Sequence, residues 1–239
     1  MQSRLLVPGV LRPFGEHLVA LLDVESGDAC VDVGSEVMPA LLGRAARLCI
    51  AIDDSVVVED TAAVVRAHGD ALPLGAGCAQ VVTSLFTLPH QRDPVATLRE
   101  MLRVLDPHRG RLAGALWSEP DATPHLGALI AAYDDVGGDV PAELRSAVAY
   151  GHPLAAEHLV EQAGGAARLG VSRIHDVVRF DGASHYWAAM TGDSPPPEEV
   201  RRAAEARLEA YVAADGTMRI PTEAVLLTTA TPPSPPPAG

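Results

Sequence analysis

His90 follows an apolar stretch, Gln80 to Ser84, that reads as a strand. A neutral imidazole at a strand's end can take a proton from a phenol or an enol near pH 7; the same residue can equally be a half-exposed loop histidine. His185, Tyr186, Trp187 and Met190 form the densest aromatic group in a chain that is only 4% aromatic. On a helix Tyr186 and Met190 share a face at i, i+4. The group can therefore roof an apolar pocket with His185 or Tyr186 as a polar anchor, or simply pack a lid onto a core. His125, His152, His158 and His175 lack ligand spacing, so no metal is expected. Ser84 and Ser118 lie outside any Gly-x-Ser-x-Gly, which argues against serine hydrolysis. The chain has no lysine, which excludes Schiff-base chemistry on a lysine amine.

Residues 29 to 43, Ala-Cys-Val-Asp-Val-Gly-Ser-Glu-Val-Met-Pro-Ala-Leu-Leu-Gly, read as a buried strand running through a tight turn into a helix. That is the layout of a nucleotide-cofactor loop, in which glycines let the backbone approach the ligand. Gly34 is present, but Glu36 and Met38 stand where further glycines are expected. A strand-turn-helix connection with no ligand needs one glycine and no more.

The 239 residues, 48% of them hydrophobic, suit one α/β domain with a sizeable core. A formal charge of −13 argues against a nucleic-acid surface, since phosphate binding rests on basic side chains. All 18 basic residues are Arg and no Asn occurs, which we read as codon bias from a GC-rich genome of actinobacterial type. Cys30, Cys49 and Cys78 are widely spaced in apolar contexts, suggesting neither a disulfide framework nor a metal cluster. No segment resembles a signal peptide or a membrane span, so a cytoplasmic protein with no membrane partner is expected.

Strands are predicted at 29 to 33, 48 to 52, 64 to 67, 80 to 84, 111 to 117, 171 to 180 and 218 to 229. Between them lie helical stretches at about 11 to 22, 38 to 46, 93 to 105, 123 to 134, 141 to 149, 153 to 164, 183 to 191 and 197 to 213. This alternation predicts a seven-stranded, mostly parallel sheet covered on both faces, with ligands beyond the carboxyl ends of the strands. One domain spans 1 to 229, with lid segments at about 118 to 151 and 181 to 215. Residues 230 to 239 form a Pro-rich, disordered tail.

The run His68-Gly-Asp-Ala-Leu-Pro-Leu through Ser84-Leu-Phe, then Asp93-Pro and Leu98-Arg-Glu-Met-Leu-Arg-Val-Leu, resembles the class I S-adenosylmethionine-dependent methyltransferases of small molecules. The resemblance implies a Rossmann-like class I methyltransferase fold. It also implies cofactor contacts at Gly34, Asp53 (or Asp54), Asp70, Ala71 and Ser84, with an acidic residue after strand two on the ribose and Asp70 near the adenine amine. It places His90 between cofactor and substrate. Phe86, and from their aromatic group Trp187 and Met190, are the candidates for the substrate pocket. The family's Asp-Val-Gly-x-Gly-x-Gly is here Asp32-Val33-Gly34-Ser35-Glu36-Val37-Met38, followed by Pro39. Glu36 would bring a negative charge near the ligand's carboxylate, which disfavours S-adenosylmethionine. The short segment from Ser55 to Gly69 also leaves a truncated helix to wall the adenosine.

The resulting expectation is a methyltransferase-fold enzyme of bacterial secondary metabolism, repurposed for a non-methylating reaction such as cyclisation or isomerisation of a small apolar molecule. His90, His185 and Tyr186 are its candidate catalytic residues. The alternatives are an active methyltransferase with an unusual loop and a non-catalytic partner protein. A homodimer is the protein-level association to test.

Overall fold

A computed structural model describes residues 8–53, 63–192 and 194–229. Asp54, Ser55 and the segment they open, as well as the Pro-rich tail, lie outside the described residues.

Seven strands form one sheet: β1 (Ala29–Val33), β2 (Leu48–Asp53), β3 (Ala63–Arg66), β4 (Val81–Leu85), β5 (Arg111–Trp117), β6 (Leu169–Phe180) and β7 (Met218–Thr229). Their order is β3-β2-β1-β4-β5-β7-β6. Pairing is parallel from β3 to β5, while β7 runs antiparallel between β5 and β6. β1 and β4 are buried on both faces, and the period-two alternation sends their side chains into two separate cores. Val31, Val82, Leu112 and Leu116 face one core, whereas Cys30, Val81, Leu85, Ala115 and Trp117 face the other.

α3 (Pro94–Val104) and α6 (Pro153–Gln162) cover the first core. α3 starts where the sequence dictates: Asp93 accepts the Ala96 N–H at 2.9 Å, and Pro94 fills the first turn, whose donor would otherwise be idle. It buries Leu98, Met101 and Val104 along one stripe, each worth about 2 kcal/mol of transfer free energy. Its polar side clamps the loop after β3: Glu100 accepts from Leu72 N, and Arg103 donates to the Leu72 and Leu74 carbonyls. The Leu-Arg-Glu-x-x-Arg motif is therefore structural.

The second core is covered by α1 (Pro8–Leu22), the five-residue α2 (Met38–Leu42), α4 (Pro124–Asp135), α5 (Ala142–Ala147), α7 (Ala183–Thr191) and α8 (Glu198–Leu208). Trp117 ends β5 opposite Ala224, which pairs with Ile174. The β6–β7 ribbon thus runs six residues further, past the carboxyl edge, and carries α7 and α8 at its tip. α8 packs on α4, so the two expected lid segments form one roof.

Candidate functional site

The β1–α2 turn closes on itself. Gly34 adopts φ +85°, a conformation that favours glycine. Asp32 is fully buried: its Oδ1 accepts the Thr83 hydroxyl at 2.6 Å and its Oδ2 the Ser35 N–H at 2.9 Å. Burial nonetheless pushes its carboxyl up to about 7, because desolvation outweighs those two bonds. The Ser35 hydroxyl accepts from both Val37 N and Met38 N at 3.1 Å, so the first donors of α2 are satisfied internally. Glu36 is half-buried. Met38, expected from sequence to obstruct the cofactor, instead lies in the core below α1, its sulfur 3.3 Å from where a Cβ on Gly15 would sit.

The space above Gly34 is taken by residues that the sequence did not single out. A Cβ there would lie 2.9 Å from Thr87 Oγ1 and 3.0 Å from Gln91 Nε2. A Cβ on Gly69 would lie 2.8 Å from the other end of the same amide, Gln91 Oε1. The Gln91 amide therefore lies between the β1 loop and the β3 loop. Ser84, buried, and Thr87 both donate to the Val33 carbonyl, at 3.2 and 2.8 Å, and lie 2.9 Å apart. Asp53 is buried at the end of β2, and Ala71 is exposed in a turn that its N–H closes onto the His68 carbonyl. Asp70 Oδ2 receives Arg92 at 2.8 Å, while its buried Oδ1 has no hydrogen-bond partner among the described residues.

Beyond β4 and β5 the chemistry changes. Phe86 stacks on Trp117 with centroids 3.6 Å apart and planes 3° from parallel, and Phe14 meets both rings edge-on. Phe86 holds φ +58°, a strained conformation for a bulky side chain. His125, in the first turn of α4, approaches Trp117 at 4.7 Å and 73°. Its Nδ1 lies 3.3 Å from Thr222 Oγ1, and its buried Nε2 has no partner among the described residues. Burial lowers its pKa to about 3.

The sequence candidates scatter around this cluster. Tyr186 is fully buried and donates its hydroxyl to the His125 carbonyl at 2.9 Å, which ties α7 to α4. Trp187 donates Nε1 to Glu205 at 2.8 Å and lies under Arg201, joining α7 to α8; Met190 is core. His185 is one-third exposed and accepts the Asp181 N–H at 3.1 Å. His90 ends the single 3₁₀ turn after β4, half-buried near α5; desolvation lowers its pKa, and Glu143 only partly opposes this.

Residues 31–113 match a family model described as a methyltransferase domain. Among solved structures, a protein described as a methyltransferase from an antibiotic biosynthesis pathway of Anabaena variabilis matches at 15% identity. Its TM-score is 0.64, covering 94% of this chain and 99% of that one. YcgJ of Bacillus subtilis matches at 13% identity and TM-score 0.61, covering 91% and 98%. A third, the [4+2]-cyclase SpnF, matches at 19% identity and TM-score 0.51, covering 92% and 81%. No curated protein matches in sequence. The fold is that of the class I methyltransferases.

Methyltransferases of this class imply S-adenosylmethionine at the turn after β1. The residues here do not fit it. Gln91 and Thr87 fill the approach to Gly34, Ser35 uses the N–H donors at the head of α2, and Arg92 holds one oxygen of Asp70. Among the described residues, Asp70 Oδ1 is a buried acceptor without a partner. Among the described residues no helix is long and apolar enough to cross a membrane, and no group of three or more His, Cys, Asp or Glu could hold a metal ion.

Proposed function

We propose that this chain is a methyltransferase-fold enzyme that rearranges a small apolar molecule without transferring a methyl group, in bacterial secondary metabolism in the cytoplasm. The observation that carries this reading is the Gln91 amide packed against both Gly34 and Gly69, which we read as closing the turn that a methylating enzyme would use for its cofactor. A cyclisation or isomerisation suits such a site, because every atom of the product comes from the substrate and no second reactant must enter. The solved cyclase of the same fold supports the idea that this scaffold can host such chemistry.

The substrate would rest against the Phe86–Trp117 stack, beneath the roof of α4 and α8. An enclosed apolar wall acts by holding one conformer in reactive geometry. His90, kept neutral by burial, can accept a proton from an enol or phenol of the bound molecule. His185 and Tyr186 already have backbone partners, Trp187 is held by the Glu205 side chain, and Met190 is packed in the core.

One observation favours a second reading, an active methyltransferase: the unpaired Asp70 Oδ1 is suited to an adenine amine. Calorimetric titration with S-adenosylmethionine and S-adenosylhomocysteine decides. We expect no heat of binding up to millimolar ligand. Micromolar affinity would overturn the proposal in favour of methyl transfer.

A further inference from the structure

We propose that His125 is the polar anchor of a ligand site where α4 covers the carboxyl end of β5, and that the site takes a planar, largely apolar molecule bearing one hydroxyl or carbonyl oxygen. This inference rests on the reading above and names the group that would orient the substrate. Its first support is the idle Nε2. A buried polar nitrogen without a partner costs about 1–3 kcal/mol, and such groups are rare enough that each calls for a cause.

The second support is how firmly the imidazole is held. Thr222 lies against Nδ1, the Tyr186 hydroxyl binds the residue's own carbonyl, and α4 is seated so closely that a Cβ on Gly127 would clash with the Pro120 carbonyl oxygen. With the ring held at Nδ1 and its backbone held on both sides, Nε2 stays buried. If the Thr222 hydroxyl donates to Nδ1, Nε2 carries the proton and donates; if it accepts, Nε2 offers a lone pair. A ligand hydroxyl answers either state, a carbonyl only the first.

The third is the company His125 keeps. Its ring meets Trp117, and Trp117 stacks on Phe86, whose left-handed backbone is a strained feature of the kind that gathers at functional sites. The aromatic surroundings favour a flat conjugated molecule once the cluster opens, and the single nitrogen suits a single oxygen on it. The cluster is sealed in this conformation, so entry requires α4 and α8 to lift together.

The probes are 2-naphthol and naphthalene, which differ by one hydroxyl, added to the full chain and followed by tryptophan fluorescence and calorimetry. We expect saturable binding of both, and His125→Phe weakening 2-naphthol about tenfold while leaving naphthalene within about twofold, as the loss of one hydrogen bond requires. Thr222→Val, which frees Nδ1 without touching Nε2, serves as a milder second variant and should weaken 2-naphthol about threefold with naphthalene unchanged. Failure of the wild type to bind either probe, or parallel changes for the two probes in both variants, overturns the assignment. Titrating the same samples with S-adenosylmethionine keeps the two conclusions apart. Micromolar binding of that compound sinks the non-methylating reading, whereas negative naphthol results without it sink only the role of His125.

Discussion

Along one carboxyl edge, the stretch over β1 and the stretch over β4 and β5 are finished by different physics. Over β1 the turn's polar groups turn on one another: Ser35 satisfies two N–H groups, the Val33 carbonyl collects two hydroxyls, and Gln91 fills the gap above two glycines. Over β4 and β5 three aromatic rings pack together, one of them, Trp117, against an imidazole with one idle nitrogen, and Phe86 carries backbone strain. A surface that supplies its own partners has little left to offer a ligand. A strained, incompletely satisfied one keeps unspent interactions. Trp117→Ala breaks the second region at its centre, removing a ring that Phe14, Phe86 and His125 all touch, and should cost about 3–5 kcal/mol in chemical denaturation. A loss under about 1 kcal/mol would mean that the rings do not pack as a unit.

The two regions also answer pH in opposite senses. His125 has its pKa lowered by burial to about 3, so between there and 6.5 the unfolded chain binds the extra proton, and stability present above 6.5 is lost as pH falls. Asp32, raised to about 7, does the reverse: its stability is present below its ordinary value of 3.8 and is lost as pH rises through 7. From pH 7 to 5 each contributes about 2 kcal/mol, with opposite sign, and the pair nearly cancels. Asp32→Asn should therefore lose about 2 kcal/mol on going from pH 7 to 5, while His125→Phe should gain about as much. Urea unfolding of both variants at the two pH values checks this, and identical slopes in the two variants would break the comparison. His90, also lowered, adds a smaller loss on the acid side.

Much of this architecture is legible in the chain. The apolar stretches at 29 to 33, 80 to 84 and 111 to 117 can only be doubly buried strands, and the seven-stranded, mostly parallel sheet follows from their alternation with helices such as the Asp93-capped α3. The altered turn at Gly34 is equally visible. Its consequence is not, because side-chain direction depends on tertiary packing. Met38 turns into the core since α2 lasts five residues and buries that face, and the side chains that pack against Gly34 are those of Thr87 and Gln91, more than fifty residues further along the chain. Periodicity likewise groups Tyr186, Trp187 and Met190, but only the β6–β7 ribbon decides that they meet α4 and α8 rather than a ligand. His125 gave one usable signal: a histidine in the first turn of a helix directly after β5, at the strand end where ligands bind.

Smaller effects belong to the β1 side. Arg92 is mostly exposed and Asp70 is not, so Arg92→Ala removes one partner of a buried carboxylate and should cost about 1 kcal/mol, measured by thermal unfolding. A double variant, Arg92→Ala with Asp70→Asn, should recover part of that loss; no recovery would mean that the arginine acts elsewhere.

The smallest loss of stability is expected from Gln91→Ala, and it bears most directly on the comparison. The Gln91 amide reaches Gly34 and Gly69 by contact, and the residue is half-buried, so truncation should cost less than about 1 kcal/mol. If this amide and Thr87 are what bars the turn, then Gln91→Ala with Thr87→Ala should gain affinity for S-adenosylhomocysteine by at least about tenfold while the fold stays intact. Calorimetry of that double variant against the wild type reads the gain directly. An unchanged affinity would move the barrier to Ser35, whose hydroxyl holds the donors of α2, and Ser35→Gly added to the pair would then be needed to open the turn.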